Sequence, residues 1–542
     1  MALHHRLVGR PTPALVLAGL TAVVAASAGA SEPAPLPIGS RRQLFVDRRL
    51  VDRLEGEARL VLHRPQPDEI VLRADQPWEG SPPLYATVFR DGDRYRLYYR
   101  VTAGAVRNAD ERQYTCYAES ADGIEWTKPR LGLVEVDGSK ANNVIWKGAL
   151  AHNFTPFRDD NPAAPPAERY KAVAGPHGYA WEKDFDPTRD GLWLLVSADG
   201  IHWRKRDDAP LPLRGYFDSQ NYILWDAAAG LYRAFWRDSR PDTPEQPKGR
   251  DIRTATSPDC RTWSEREWLV YDPARSGSTE RDEAGDPSGD HHQFYASCIQ
   301  PYPRSPGLLI GLPERYCDRG WTRSTDSLPD HDVRRVKADH SKSGGRPTRW
   351  GTAITDVLFI ASHDGREFFV WPEAFIRPGI QRPGSWYYGG AWPALGLIET
   401  PSRYVGAPPE LSLYVTEGDG PAKLENPRGL IRRHTLRLDG FGSVHAPLTG
   451  GRLVTRPVVF AGDALAINFS TSAGGRIRIG LLDATGGPIA GRSLADGDLV
   501  YGDEHDRVVT WGGEPGLAEL AGKPVRLEVE LKDADLYAFT FE

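Results

Sequence analysis

The chain has 542 residues, with 67 Lys and Arg against 73 Asp and Glu, and its formal charge of −6 is spread without long runs of one sign. That balance leaves no electrostatic footprint for nucleic acid or for an anionic membrane surface. Four cysteines, Cys116, Cys260, Cys298 and Cys317, are too few to define a small disulfide-built fold and lack the spacing of a zinc site. Cys298 and Cys317 fall on successive predicted strands, where they either bridge or are buried as small apolar groups.

The first residues read as a targeting segment. His4, His5, Arg6 and Arg10 precede the apolar run "ALVLAGLTAVVAA", and "AGA" at Ala28 to Ala30 supplies small residues for cleavage. Residues 1–30 are therefore expected to be a secretory signal, with an uncleaved anchor as the alternative, and either places the rest outside the cytoplasm, secreted or periplasmic. No later stretch is apolar for long enough to cross a bilayer as a helix.

Beyond it the chain spells one phrase four times. "SADGIEW" at Ser120 returns as "SADGIHW" at Ser197, "SPDCRTW" at Ser257 and "SHDGREF" at Ser362. Each copy follows runs rich in aromatic and β-branched residues: "YRLYYR" and "YTCYAES", "YKAVAG" and "LWLLVS", "YRAFWRD" and "RTATS", "LLIGL" and "DVLFIAS". Such runs predict strands. Asp-Gly after a strand supplies the positive φ that a tight turn demands, and the aromatic that follows anchors the next strand. Repeated four-stranded units whose edges close into a ring are propeller blades. Five are predicted, over 80–130, 150–208, 216–271, 291–378 and 386–445, the last keeping Asp439-Gly440 without the serine or the aromatic. "QLFVDRRLV" is expected to join the last blade or lie across the ring. From residue 446, short strands such as "ALAINFSTS", "RIRIGLLDA" and "PVRLEVEL" predict a β-sandwich. The expectation is thus an all-β protein: a five-bladed β-propeller over 31–445 and a C-terminal β-sandwich over 446–542.

This order of elements resembles the invertase and levanase family of glycoside hydrolases, and the propeller is similar to the arabinanase and xylosidase family. Phrases such as "LFVDRRL", "PWEG", "FDSQNYILWD", "EAFIRPG" and "LKDADLYAFTF" look like a group of secreted bacterial glycosyl-hydrolase-like proteins, over nearly the whole mature chain. The resemblance implies a sugar substrate handled by carboxylates at the propeller axis. The sequence departs from the characterised families, with no early "NDPNG" and no later "EC", and "WRD" at Trp236 to Asp238 matches the invertase "RDP" in only two residues. No residue is transferred, and candidates rest on position, because a fold hosts many chemistries.

The innermost strand of each blade faces the axis, so polar residues entering it are the candidates. Glycoside hydrolysis needs a carboxyl to protonate the leaving oxygen and a carboxylate to attack or to activate water. Asp218 is the first choice for the ionised carboxylate, with Gln220 and Asn221 expected to orient it; Glu79, Asp47 and Glu314 compete for the second role. Expected sugar contacts are Gln220, Asn153, His292, Arg315, Trp78, Trp386 and Tyr387, with His152, His291, Tyr216 and Trp392 also near the axis. Each has a structural alternative: Asp218 and Glu79 as turn caps, Asp47 as a buried group held by Arg48, Arg49 or backbone amides, Glu314 as an ion-pair partner. "GDPSGDHH" holds carboxylates and imidazoles, yet adjacent histidines on a strand point to opposite faces. No catalytic metal or cofactor is expected there, while a structural Ca²⁺ in the channel stays open. The reading is an extracytoplasmic protein that hydrolyses a poly- or oligosaccharide. A silent carbohydrate-binding propeller is the alternative, and a polysaccharide lyase, with His292 or a Tyr as base and Arg315 or Arg319 neutralising a uronate, is the third.

Overall fold

A computed structural model describes residues 34–102, 112–175, 191–241, 249–272, 293–318, 320–339, 349–418 and 429–542. The expected signal segment, the "GDPSGDHH" run with His291 and His292, and Arg319 lie outside the described residues.

Strands dominate because β-branched and aromatic residues fill the runs named above, and they assemble into a propeller-like arrangement of sheets. Three sheets have four consecutive antiparallel strands. The first holds Leu84–Asp91, Arg94–Thr102, Gln113–Ser120 and Val144–Lys147; the second Thr155–Arg158, Tyr170–Ala174, Trp193–Ser197 and Arg204–Lys205; the third Tyr222–Asp226, Leu231–Arg240, Gly249–Ser257 and Glu267–Trp268. The fourth sheet has seven strands, centred on Ala353–Ser362 and Glu367–Ile376, and the fifth has five, with Glu410–Glu417 and Leu430–Arg437 at its middle. Three short helices, Arg323–Asp326, His331–Ala338 and Arg349–Thr352, occupy the insertion of the fourth sheet.

The repeated phrase ends the third strand in each of the first three sheets and Ala353–Ser362 in the fourth. Its residue types are set by one hydrogen-bonded turn. Ser120 Oγ donates to Asp122 Oδ1 at 2.9 Å and accepts the Gly123 amide at 2.9 Å, while Asp122 Oδ1 also accepts the amides of Ile124 and Glu125. Trp126 Nε1 then donates to the Gly123 carbonyl at 3.1 Å. The serine and aspartate bonds recur at Ser197 and Asp199, Ser257 and Asp259, and Ser362 and Asp364. Burial opposes the charge on Asp122, Asp199 and Asp364, but the amide donors outweigh it, and all three carboxyls are held below their ordinary range.

The same turns join one sheet to the next. Arg96 and Tyr98 of the first sheet donate to the carbonyls of Asp199 at 2.7 Å and Gly200 at 3.0 Å in the second. Arg206, after the second sheet, donates to the carbonyls of Asp259 and Cys260; Arg233 of the third donates to those of Asp364 and Gly365. Tyr414 of the fifth sheet bonds the Gly123 carbonyl of the first. Asp439, the remnant of the phrase beyond the fifth sheet, accepts Tyr302 at 2.7 Å and Arg304 at 2.9 Å from beside the fourth.

The N-terminal residues correct one expectation. "QLFVDRRLV" does not join the fifth sheet: Gln43–Leu44 pairs with Pro524–Phe541 and Val51–Gly56 with Gly451–Thr455, inside a ten-stranded sheet, while the Val46 carbonyl accepts Trp371 Nε1 of the fourth sheet at 2.7 Å. Gln66–Arg73 supplies the N-terminal strand of the fifth sheet instead, pairing with Leu430–Arg437. The predicted division at residue 446 is therefore crossed by the N-terminal strands, which join the sheet of the C-terminal ones. The physical reason is the apolar face of this segment: Ile38, Phe45 and Leu50 bury themselves among Val444, Phe469, Leu527 and Phe539. Residues 35–542 form one compact unit.

Candidate active site

The third sheet sets the centre. Phe217, 1 % exposed, anchors the chain just ahead of Tyr222–Asp226, and its carbonyl accepts the amides of Asn153 and Asn221, both at 2.8 Å. Ser219 Oγ donates to the Tyr295 carbonyl at 2.7 Å. Pinned on both sides, Asp218 projects a carboxylate that is 15 % exposed.

Two cationic or proton-bearing groups face it. His152, at the end of the short turn Ala149–Ala151, places Nε2 3.1 Å from Asp218 Oδ1, and Arg237 Nη2 lies 3.5 Å from Oδ2. A proton at Nε2 would let the imidazole donate to the carboxylate. His152 Nδ1 lies 2.9 Å from Gln113 Oε1 and 3.1 Å from Arg100 Nη1, so the ring is held at both nitrogens and acts by positioning Asp218.

Aromatic rings close around this pair. The Arg237 guanidinium is sandwiched, 4.1 Å from the Tyr216 ring centre and 4.4 Å from that of Tyr295. Arg100 lies 4.6 Å from the Tyr85 ring, which meets His152 and Trp392 edge-on. Trp392 and Tyr388 also stand edge-on to Tyr295. Tyr85 has φ +50°, a region that strains a non-glycine residue, and the register of its strand shifts between Leu84 and Thr87. Burial, with Tyr295 and Asp218 adding to it against Arg100 and Arg237, pushes the Tyr85 phenol well above its ordinary value. At neutral pH the phenol keeps its proton and serves as a hydrogen-bond donor. The cluster thus draws residues from each of the five smaller sheets or their flanking loops.

Other sequence candidates lie elsewhere or are otherwise engaged. Gln220 does not orient Asp218: its amide donates to the Tyr85 and Ala86 carbonyls and Thr87 Oγ1, tying the third sheet to the first. Asn221 Oδ1 accepts the Arg237 amide. Asn153, fully buried, spans from the Phe217 carbonyl to the Gly175 amide. Glu79 is a structural knot, with Oε2 accepting the amides of Asp75 and Gln76 and Lys128 Nζ at 2.7 Å, and Oε1 accepting Tyr99 at 2.6 Å. Asp47 belongs to another place, a cavity of about 460 Å³ beside the fourth sheet, where Oδ2 meets His363 Nε2 at 3.1 Å and Oδ1 caps the Arg49 amide. Glu314 is fully buried, on the strand Glu314–Asp318. Arg315 forms a two-pronged pair with Asp356 rather than facing a ligand. Trp78 donates to Asn143, Trp386 to the Gly379 carbonyl, and the Tyr387 ring packs 3.6 Å from Arg334, away from Asp218. Sequence reasoning passed over Arg100, Arg237, Tyr85 and Tyr295; the one signal for the arginines was a charge inside the aromatic strand runs "YRLYYR" and "AFWRD".

Among the described residues no group of three or more His, Cys, Asp or Glu could hold a metal ion. No helix of the described residues is long and apolar enough to cross a membrane.

The sequence matches no protein-family model and no curated protein. Solved structures similar to it include a glycoside hydrolase, 15 % identical with a TM-score of 0.41 over 69 % of this chain and 92 % of that one. A second is an N-acetylgalactosamine deacetylase from F. plautii in complex with blood group B trisaccharide, 12 % identical, TM-score 0.41, over 70 % of this chain and 96 % of the other. A third is a family 43 arabinoxylan arabinofuranohydrolase from Bacillus subtilis, 10 % identical, TM-score 0.36, over 86 % and 97 %. No residue is carried across from them.

Proposed function

We propose that the protein is an exported, glycoside-hydrolase-like propeller of five blades with a C-terminal β-sandwich, and that it cleaves glycosidic bonds at the Asp218 pocket. The ring reading is supported by the direction of the turn contacts: second to first, third to second, fourth to third, fifth to fourth, and first to fifth. The reaction reading rests on a single observation, a part-open carboxylate held between His152 and Arg237 where the five sheets converge among tyrosines.

In this mechanism the His152 N–H and the Arg237 cation keep Asp218 ionised, and its carboxylate takes the proton of a water attacking the anomeric carbon. As the C–O bond breaks, the departing oxygen takes a proton from solvent and Asp218 afterwards returns its own to solvent; the Tyr85 phenol, kept protonated and weakly acidic by burial, offers that oxygen a hydrogen bond. The aromatic rings offer apolar faces to a pyranose. Glu314, closed off from solvent, is given no part in proton transfer.

The test follows reducing ends and ultraviolet absorbance from a panel of neutral and acidic polysaccharides with wild type, Asp218→Asn and Tyr85→Phe. Reducing ends from wild type, lost by at least about a hundredfold in Asp218→Asn and without new absorbance, are expected. An unsaturated, absorbing product means elimination instead. A second reading, a glycan-binding pocket without turnover, is favoured by one feature: among the described residues around Tyr85, Tyr216 and Tyr295, Asp218 is the carboxylate open to solvent. Binding of a glycan by wild type and by Asp218→Asn alike, with no product from either, would establish it.

A further inference from the structure

The charge around Asp218 is out of balance. Arg237 has its side chain fully buried, and the faces of its guanidinium are taken up by Tyr216 and Tyr295, so hydrogen bonds can leave only along the edge. Along that edge Nε donates to the Tyr216 carbonyl at 3.4 Å and Nη2 faces Asp218, while Nη1 has no hydrogen-bond partner among the described residues. Arg100 gives Nη1 to His152 and leaves Nε, also buried, without one. Arg250 lies 5.3 Å from the centre of the Tyr295 ring, and its buried Nε likewise has no partner among the described residues. Trp392 Nε1, between Tyr85 and Tyr295, is a further buried donor with no acceptor among the described residues.

Such a set is unusual for a site built for a neutral sugar. A buried guanidinium with an unmatched N–H is expensive to maintain unless an acceptor arrives, and hydroxyl groups offer weak acceptors beside a carboxylate or a sulfate. Arginine's planar, fixed fork suits a planar or tetrahedral oxyanion, and stacking on tyrosine fixes its direction in advance. Asp218 occupies only one end of the Arg237 fork. The chain as a whole is acidic, so this cationic cluster is local and does not follow from composition.

The geometry points to an acidic glycan as the substrate class: a sugar whose carboxylate or sulfate ester is received by the Nη1 edge of Arg237 together with Arg100, while its ring lies against the tyrosines and its glycosidic bond reaches Asp218. This rests on the reading of the pocket as a glycan site, and it names what that site selects. Arg315, held by Asp356, has no part in it.

The experiment uses the full chain carrying Asp218→Asn, so that turnover does not consume the probe. An oligogalacturonate, its carboxyl-reduced neutral counterpart and a sulfated galactan oligosaccharide are titrated calorimetrically, then again with Arg100→Gln or Arg237→Lys added, and melting curves verify the fold of each variant. At least one acidic probe is expected to bind about tenfold or more tightly than the neutral counterpart. That preference should fall at least about fivefold with Arg100→Gln, whose side chain is only half-buried, and with Arg237→Lys if it folds, and it should weaken with added salt. Carboxylate and sulfate are told apart by which acidic probe binds. The inference is overturned if the neutral probe binds as tightly, if the preference survives Arg100→Gln undiminished, or if neither acidic probe binds. Turnover by wild type separates this from the hydrolytic reading: acidic probes bound but never cleaved defeat hydrolysis alone, and neutral glycans cleaved with acidic ones ignored defeat this inference alone.

Discussion

Replacing Gly200 by alanine measures how strongly the repeated turn clamps neighbouring sheets. Gly200 has φ +77°, so alanine meets backbone strain of about 1–2 kcal/mol. A Cβ there would also stand 2.6 Å from Arg96 Nη1 and 2.9 Å from Tyr98 Oη, the groups that hold the turn's carbonyls. Losing the Tyr98 bond costs about 1 kcal/mol and the charged Arg96 bond about 1.5–3 kcal/mol, for a total near 3–6 kcal/mol with the strain included. Gly230→Ala is the control: its φ is +65°, and nothing lies within 4 Å of the added Cβ, so only the strain remains. Scanning calorimetry on wild type and both variants should show a drop in Tm for Gly200→Ala two to three times that for Gly230→Ala. Adding Tyr98→Phe to Gly200→Ala should cost less than it does in wild type, since the bond is already broken. Equal drops for the two alanine variants would refute the clamp.

The remaining expectations follow from buried groups. Burial, aided by Arg432 and opposed by Glu417, lowers His434 from 6.5 to about 4. A depressed folded-state value means the stability is full above 6.5 and is lost as pH falls toward 4, by about 3 kcal/mol for this one group. Urea unfolding should therefore weaken over that window in wild type by more than in His434→Leu; an identical pH dependence in both would exclude the histidine as the cause. Glu79→Gln should destabilise the fold by about 2–4 kcal/mol through loss of the buried Lys128 pair, with turnover per folded molecule unchanged in an assay corrected for folded fraction. All four cysteines are thiols, and burial raises Cys116, Cys260 and Cys298 above the ordinary thiol value. Melting curves with and without reductant should coincide, and in the native state Ellman's reagent should titrate Cys317 well ahead of the other three.

What the sequence determined by itself is what short-range chemistry encodes. The Ser-x-Asp turn is satisfied within a handful of residues, Ser120 to its own Asp122 and Asp122 to the next amides, so its four spellings marked the strand-ending turns without any knowledge of what surrounds them. The strands were legible for the same reason, from runs of aromatic and β-branched residues. Asp218 was legible as a candidate, but its surroundings were not. Its imidazole partner is 66 positions away, in the turn between the first and second sheets, while Gln220, two positions away, sends its amide to residues more than 130 positions distant. Glu79 shows the converse: a carboxylate beside a Gly-Ser-Pro-Pro turn became a buried structural knot because Lys128 arrives from a loop and Tyr99 from a strand. The tertiary structure alone decided that "QLFVDRRLV" would pair with the C-terminal strand, since a strand's apolar face accepts any complementary surface and chain proximity does not choose among them. It alone also brought Arg100, Arg237 and the tyrosines to one point. Strand residues separated by whole sheets become neighbours only when the sheets pack around a shared centre, and no local periodicity records that meeting.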